Sequence, residues 1–356
     1  MKKKNLLIIQ QHQFGYLTDS YKWCEYLNKD YNITILCYDA GKPKISLSGI
    51  DINYFNIKGN RYTRGIRFII YCLYYILKKR GITIVIYFEK CELLKSFLFS
   101  KKMILDIRTL SVHNSESKRD NFNAKLKKAC NKFDLITVIS KGVKNQINLP
   151  NKDIRILPLG GDTISTKVKS FENIKLLYVG TLSNRHIEKT IDGLHLFTNR
   201  FPNCNISYDI VGDGNENELE ELIKYTQEKG EDFNSKIRFW GRVPYNKLKP
   251  FFDKCNIGIS FIPMTDYFDA QPPTKTYEYI LSGLYTIATE TTSNKEIITH
   301  ENGILIKDTP QDFADALSVL FTQKEKIRDE VIRNSLKEST WKAITQNYLK
   351  PILNKF

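Results

Sequence analysis

The sequence predicts two doubly wound α/β domains, each a parallel sheet covered by helices on both faces, and three observations carry that expectation. Short runs rich in Ile, Leu and Val recur along the chain, each followed by a polar or glycine-bearing loop and then an amphipathic stretch, which is the alternation of buried parallel strands with crossover helices. At 356 residues and 42% apolar composition the chain can bury two sizeable cores. Nothing in it is of low complexity or repeated at a fixed period, so fibrous and solenoid architectures are excluded.

The first half begins MKKKNLLIIQQHQFGYL. Its lysines resemble the start of a secretion signal, but the apolar run Leu6 to Ile9 stops at Gln10 and Gln11, so it reads as a first strand. Gln13 to Tyr16 then forms a strand-to-helix loop around Gly15. YNITILCYD, ITIVIYFE, KMILDIRTL and DLITVIS read as further short buried strands, and IRILPLGGD, Ile154 to Asp162, as another strand and turn. In the second half, Lys175 to Val179 is an apolar strand followed by a Gly180 turn, a polar loop carrying Arg185, and an amphipathic helix. A second strand ends in the turn Gly212 to Gly214, a third in a turn at Gly241, and NIGISFIPM is a fourth. Ligands of a doubly wound sheet bind outside the carboxyl ends of its strands, where all these loops fall. The expected partition is a first domain over 1–165, a second over 166–336, and a final helix over 337–356 packing back on the first, with Thr163 to Glu172 as linker.

The densest chemistry lies in Pro272 to Thr289, PPTKTYEYILSGLYTIAT. Two prolines end whatever precedes them, and Thr274 is placed to cap the first turn of a new helix. The N–H groups and positive dipole end of that helix suit a phosphate, with Lys275 adding a full charge. Glu278, three residues on, shares a face with Lys275. A cation beside phosphates and a carboxylate one turn away, able to take two vicinal hydroxyls, is what a sugar nucleotide requires. An ordinary unit with solvated Lys and Glu is the competing reading. Gly283 closes the helix and LYTIAT returns as a strand.

The ordered series G-T-L-x-x-R, I-V-G-D-G, F-W-G-R-V, P-T-K-x-x-E-Y, S-N-K-E-I-I and E-N-G-I-L-I, from about Leu176 to Ile306, resembles the carboxyl-terminal domain of GT-B glycosyltransferases, closest to the retaining enzymes of family 4. The resemblance implies two Rossmann-like domains facing a cleft, with Gly15 in a cleft loop. It implies that Arg185, Lys275 and Thr276 bind the donor diphosphate, that Glu278 holds the ribose, and that the turn Trp240, Gly241, Arg242, Val243 receives the base. Many members carry a first glutamate eight residues before the second; here that position is Ala270, with Asp269 and Gln271 as the nearest polar substitutes in the donor-sugar loop. Where the family places a cleft histidine, this chain has Asp106-x-Arg108 and then His113. Either His113 is that catalytic group on a longer loop, or Asp106 stands in its place, or Asp106 and Arg108 are a structural pair at a strand end.

What the resemblance implies for function is transfer of a hexosyl group from a nucleotide-diphosphate sugar, expected to be a UDP- or GDP-sugar, to a glycan or lipid-linked acceptor with retention of configuration. Capsule, lipopolysaccharide or another cell-surface polysaccharide is the expected product, and neither a cofactor nor a bound metal is expected. Two other classes stand beside it: a sugar-nucleotide 2-epimerase of related fold, and a non-catalytic partner subunit. Ala270 favours the latter, while Arg185, Lys275 and Glu278 oppose it.

A net charge of +15 asks for a partner. Basic residues gather with aromatics in the first half: Arg61 to Arg67, FIIYCLYYILKKR ending in Lys78, Lys79 and Arg80, then Lys95, Lys101 and Lys102. This suits an anionic membrane surface, and no nucleic-acid motif competes with it. The apolar run Phe68 to Leu77 is about half of a bilayer span, and reads either as a helix lying on the membrane or as a crossover helix buried against the sheet. The expected location is cytoplasmic, peripheral on the inner face of the cell membrane. Seven scattered cysteines without a C-x-x-C pair point to a reducing compartment and to neither disulfides nor zinc. Gly212-x-Gly214 lacks the third glycine of a dinucleotide fingerprint, Asn217 standing there, which argues against a nicotinamide enzyme. His12 and His186 are read as polar lining.

Overall fold

The computed structural model describes residues 3–215 and 217–356, which divide into two compact units, one from residues 3–160 with 341–356 and the other from the described residues of 161–340. In the first unit, β1 (Lys4–Ile9), β2 (Tyr31–Asp39), β3 (Ile50–Asn56), β4 (Ile82–Ile86), β5 (Met103–Ile107), β6 (Leu135–Val138) and β7 (Ile154–Ile156) form a sheet in the order β3-β2-β1-β4-β5-β6-β7. Every pairing is parallel, with Leu6 opposite Ile33 and Ile82, so the strand order reverses between β1 and β4. β3 is not among the strands expected above. Its sequence IDINYFN alternates rather than running apolar, as befits an edge strand with one covered face.

The core of this unit places Trp23 and Leu27 of the helix Thr18–Leu27 against Leu6, Ile8, Ile33 and Ile35, and Leu349, Ile352 and Leu353 from the end of the chain join the same cluster. Tyr31 donates its hydroxyl proton to Asn354 Oδ1 at 3.0 Å. The helix Arg61–Lys79 starts at Asn60, whose side-chain oxygen accepts from the N–H groups of Tyr62 and Thr63. Phe68, Ile69, Cys72 and Ile76 face the sheet, while Tyr62, Ile66, Ile70, Tyr74 and Leu77 are exposed. The run Phe68 to Leu77 is therefore a crossover helix that is apolar on its outer face as well.

The second unit contains β8 (Ile174–Val179), β9 (Ile206–Val211), β10 (Ile237–Phe239), β11 (Ile257–Ser260), β12 (Tyr285–Thr289) and β13 (Gly303–Ile306), in the order β10-β9-β8-β11-β12-β13 and again all parallel. The order reverses between β8 and β11. The segment Thr163 to Glu172, expected as a linker, is docked onto this unit. Ile164 and Ser165 donate their N–H groups to Ser282 Oγ at 3.0 and 3.2 Å, and Arg333 Nη1 donates to the Ser165 carbonyl at 2.6 Å. All seven cysteines are free and buried.

Candidate functional site

The reversal point between β8 and β11 is built on glycine. Gly180, at φ +155°, follows β8, and a Cβ on Gly212, which follows β9, would lie 1.8 Å from the Gly180 carbonyl oxygen. Gly212 in turn donates its N–H to the Gly241 carbonyl at 2.9 Å, and Gly241 sits at φ +59° after β10. Three strand ends thus pack backbone on backbone, and the carboxyl edge stays free of intervening side chains.

Two cations occupy that edge. Lys275 Nζ lies 3.9 Å from the centre of the Tyr178 ring, and the Arg185 guanidinium 4.2 Å from that of Phe268. Neither has a carboxylate partner among the described residues. Burial, and after it the Arg185 charge, holds the Lys275 ammonium well below the usual lysine range. Arg185 is lowered by burial as well. Two partly desolvated like charges with no carboxylate partner among the described residues are costly, and an anion carrying two charges would relieve both.

Lys275 belongs to the first turn of the helix Thr274–Leu281. Thr274 does not cap it: Pro273 holds the cap position in extended backbone and makes no side-chain cap hydrogen bond. Pro273 stays extended, with ψ 126°, so the helix begins at Thr274 and that residue falls inside the first turn. The Thr276 hydroxyl points into the fold, between Ser260 Oγ at 2.7 Å and Asn294 Oδ1 at 3.3 Å, and braces the helix against β11. At the other end, Gly283, at φ +78°, closes the helix, with the Leu284 N–H returning to the Tyr279 carbonyl at 2.9 Å.

Glu278 is buried one turn along. The Tyr245 hydroxyl lies 2.7 Å from Glu278 Oε1 and 2.9 Å from Asp162 Oδ2, so a single proton serves two carboxylates. Burial and these two charges push the phenol far above its ordinary range. Tyr245 and Asp162 were missed by sequence reasoning; no spacing links them to Glu278, and only the fold brings the three together. Trp240 is turned away from the edge, its indole N–H on Asp209 Oδ1 at 2.8 Å and its ring edge-on to Phe251. Arg242 is exposed, and Val243 packs on the cluster around Phe252 and Leu248.

The two substitutes for the absent glutamate hold their own loop. Asp269 Oδ1 accepts the Thr292 N–H at 2.8 Å, Gln271 Nε2 donates to the Tyr267 carbonyl at 2.7 Å, and Ala270 between them is buried. In the first unit, Gly15 sits at φ +88°, where a Cβ would come within 2.4 Å of Ile45. Next to it, Gln13 Oε1 accepts the Ala40 N–H at 2.9 Å and fixes the loop.

Asp106 is wholly buried. It accepts the Thr137 hydroxyl proton at 2.6 Å and lies 3.6 Å from Arg108 Nη1. Arg108 also pairs with Asp19 and donates to the Leu157 carbonyl at 2.9 Å. Burial raises the Asp106 carboxyl to about 6 against the pull of Arg108. The geometry is that of a structural pair extended to Asp19. His113 is not part of it; exposed on the following loop, it accepts the Ser115 N–H at Nδ1, 2.9 Å away. Among the described residues no cluster of three His, Cys, Asp or Glu could hold a metal ion.

Residues 173–323 match the family Glycosyl transferases group 1. No curated protein matches the chain by sequence. Among solved structures, sucrose-phosphate synthase from Thermosynechococcus elongatus is similar at a TM-score of 0.77 and 15% identity over 99% of both chains. HepE of Anabaena in complex with UDP and glucose is similar at 0.77 and 12%, over 99% of this chain and 100% of that one. The lipopolysaccharide outer core galactosyltransferase WaaB is similar at 0.74 and 16%, again over 99% and 100%. These likenesses make the fold GT-B.

Proposed function

Because the second unit belongs to the Glycosyl transferases group 1 family and the chain is accordingly a glycosyltransferase, we propose that it transfers a sugar from a nucleoside-diphosphate sugar to a glycan or lipid-linked acceptor with retention of configuration. The observation that carries the donor assignment is the pair Arg185 and Lys275, two half-buried cations with no carboxylate partner among the described residues, at the reversal point of the second sheet. A diphosphate there neutralises both, takes the uncapped N–H groups of Thr274–Leu281, and is stabilised as charge develops on the leaving group. Glu278 holds the ribose hydroxyls, with Tyr245 as the proton-sharing partner they displace or join, and the turn Trp240 to Val243 receives the base. Asp106, Arg108 and His113 act from the first unit, the first two by shaping a loop and His113 as the exposed group nearest in sequence able to touch substrate.

A uridine nucleotide is favoured, because HepE binds UDP and UDP-glucose and the E. coli trehalose-6-phosphate relative was solved with UDP-2-fluoro glucose. An acceptor of the cell-surface class, as in capsule or lipopolysaccharide, agrees with WaaB and with the basic first half. No helix among the described residues is long and apolar enough to cross a membrane, so contact with a lipid-linked acceptor would be peripheral. The test is a thermal-shift panel of UDP-, GDP-, ADP- and CMP-sugars followed by product analysis. A shift with one nucleotide class and a glycosidic product of retained anomeric configuration are expected. No shift with any member of the panel overturns the reading.

A further inference from the structure

We propose that the outer face of the helix Arg61–Lys79, with the segment 97–102 beside it, is a docking surface for an anionic lipid bilayer; its purpose rests on the lipid-linked acceptor proposed above, its geometry does not. A crossover helix of a doubly wound domain ordinarily turns polar residues to water. Here Tyr62, Ile66, Ile70, Tyr74 and Leu77, at spacings that keep them on one face, are exposed, with Ile66 63% and Ile70 61% accessible. The adjoining helix Glu92–Phe97 packs against this one and ends in Phe97 and Phe99, 65% and 80% accessible.

Charge stands at one end of that apolar surface. Ile76 of the long helix, Arg80 just after it and Lys101 and Lys102 line a cavity of about 510 Å³ whose charged side chains are Lys3, Lys4, Arg80, Lys101 and Lys102, with no acidic side chain among its lining. Lys79 and Arg61 are paired with carboxylates, Asp51 at 2.8 Å and Glu89 at 3.1 Å, whereas among the described residues the lysines and arginine of the cavity and exposed Lys78 have no carboxylate partner. An apolar stripe alone would suit a second copy of this chain. Five like charges at its end oppose self-association there and match lipid phosphates. A polyanion in solution would use the cavity and leave the stripe unused, whereas a bilayer interface uses both.

The test is flotation of the full chain with vesicles of phosphatidylcholine alone and of phosphatidylcholine with phosphatidylglycerol. Binding to the acidic vesicles only, released as salt is raised, is expected. The double variants Ile66→Ser with Ile70→Ser and Lys101→Glu with Lys102→Glu should each lower the bound fraction by about tenfold or more. Both should keep the parent's nucleotide-induced thermal shift, so failure of the docking surface and failure of the donor site read out separately. Absence of flotation with acidic vesicles overturns the proposal. So does binding that Ile66→Ser with Ile70→Ser leaves intact, or a dimer in light scattering that the same variant abolishes.

Discussion

Arg108 in the first unit and the pair Arg185 and Lys275 in the second are all cations at the carboxyl edge of a parallel sheet, and the protein treats them in opposite ways. Arg108 is closed in by Asp19, Asp106 and the Leu157 carbonyl. Arg185 and Lys275 lie against aromatic rings, with no carboxylate partner among the described residues. A buried cation supplied with carboxylates belongs to the scaffold; two with no carboxylate partner among the described residues, where strand order reverses, form the anion site of the function proposed above. The difference can be tested, because the first arrangement should govern folding and the second should govern binding.

The largest effect is expected at Arg108. Arg108→Ala leaves Asp19 and Asp106 facing each other in a dry site, and unfolding in urea should show a loss of about 3–5 kcal/mol at neutral pH. The deficit should shrink as the solution is acidified, since protonation of Asp106 removes the repulsion. A loss below about 1 kcal/mol would mean that this cluster is no more structural than the bare pair.

The second effect is in pH dependence. The Asp106 carboxyl is raised from its ordinary 3.8 to about 6. Between those values the folded chain holds a proton that the unfolded chain has lost, so this group's contribution is present at low pH and fades as pH rises through 6. It amounts to up to about 3 kcal/mol over the interval. Asp106→Asn keeps an acceptor for Thr137 and should flatten that part of the stability profile, measured by urea titrations between pH 4 and 7.

Third, Lys275→Met removes a desolvated, unpaired charge. Urea stability without ligand should hold or rise, while donor affinity in calorimetry falls about 10- to 100-fold, the equivalent of a charge-assisted contact of about 1.5–3 kcal/mol. Arg185→Ala should lose a similar factor in affinity. If both variants stay within about twofold of the parent, the diphosphate does not bind between them. The smallest effect is expected at Glu278→Gln, with a loss of about 1 kcal/mol in nucleotide binding and none in pyrophosphate binding. Equal losses for the two ligands would show a disturbed helix instead of a lost ribose contact.

Legibility followed the same division. The continuous apolar strands and the glycine turns after β8, β9 and β10 were readable, because buried parallel strands leave a pure hydrophobic signal and tight turns leave glycine. β3 was missed because an edge strand alternates, and a seven-residue alternation is a weak signal. The helix around Lys275 was legible from its prolines and from Gly283, but its cap was misplaced by one residue. Lys275 and Glu278 lie on one helix, so their spacing was visible. The Tyr245 link between Glu278 and Asp162 joins residues far apart in sequence and depends on the fold. The surroundings of Asp106 were not legible, because they depend on Thr137 from the neighbouring strand and on Arg108, which also pairs with Asp19 of the helix Thr18–Leu27.

The return of residues 341–356 to the first unit sets an order of events on the ribosome. Ile352 and Leu353 fill the same core as Ile33 and Ile35, and Asn354 receives the Tyr31 proton, although some three hundred residues separate them. Residues 161–340 form a contiguous unit with all of its own strands, so they can reach their final packing as soon as they emerge. The unit translated first is completed last. Until residues 341–356 arrive, the helix Thr18–Leu27 and the face of β2 lack part of their apolar cover.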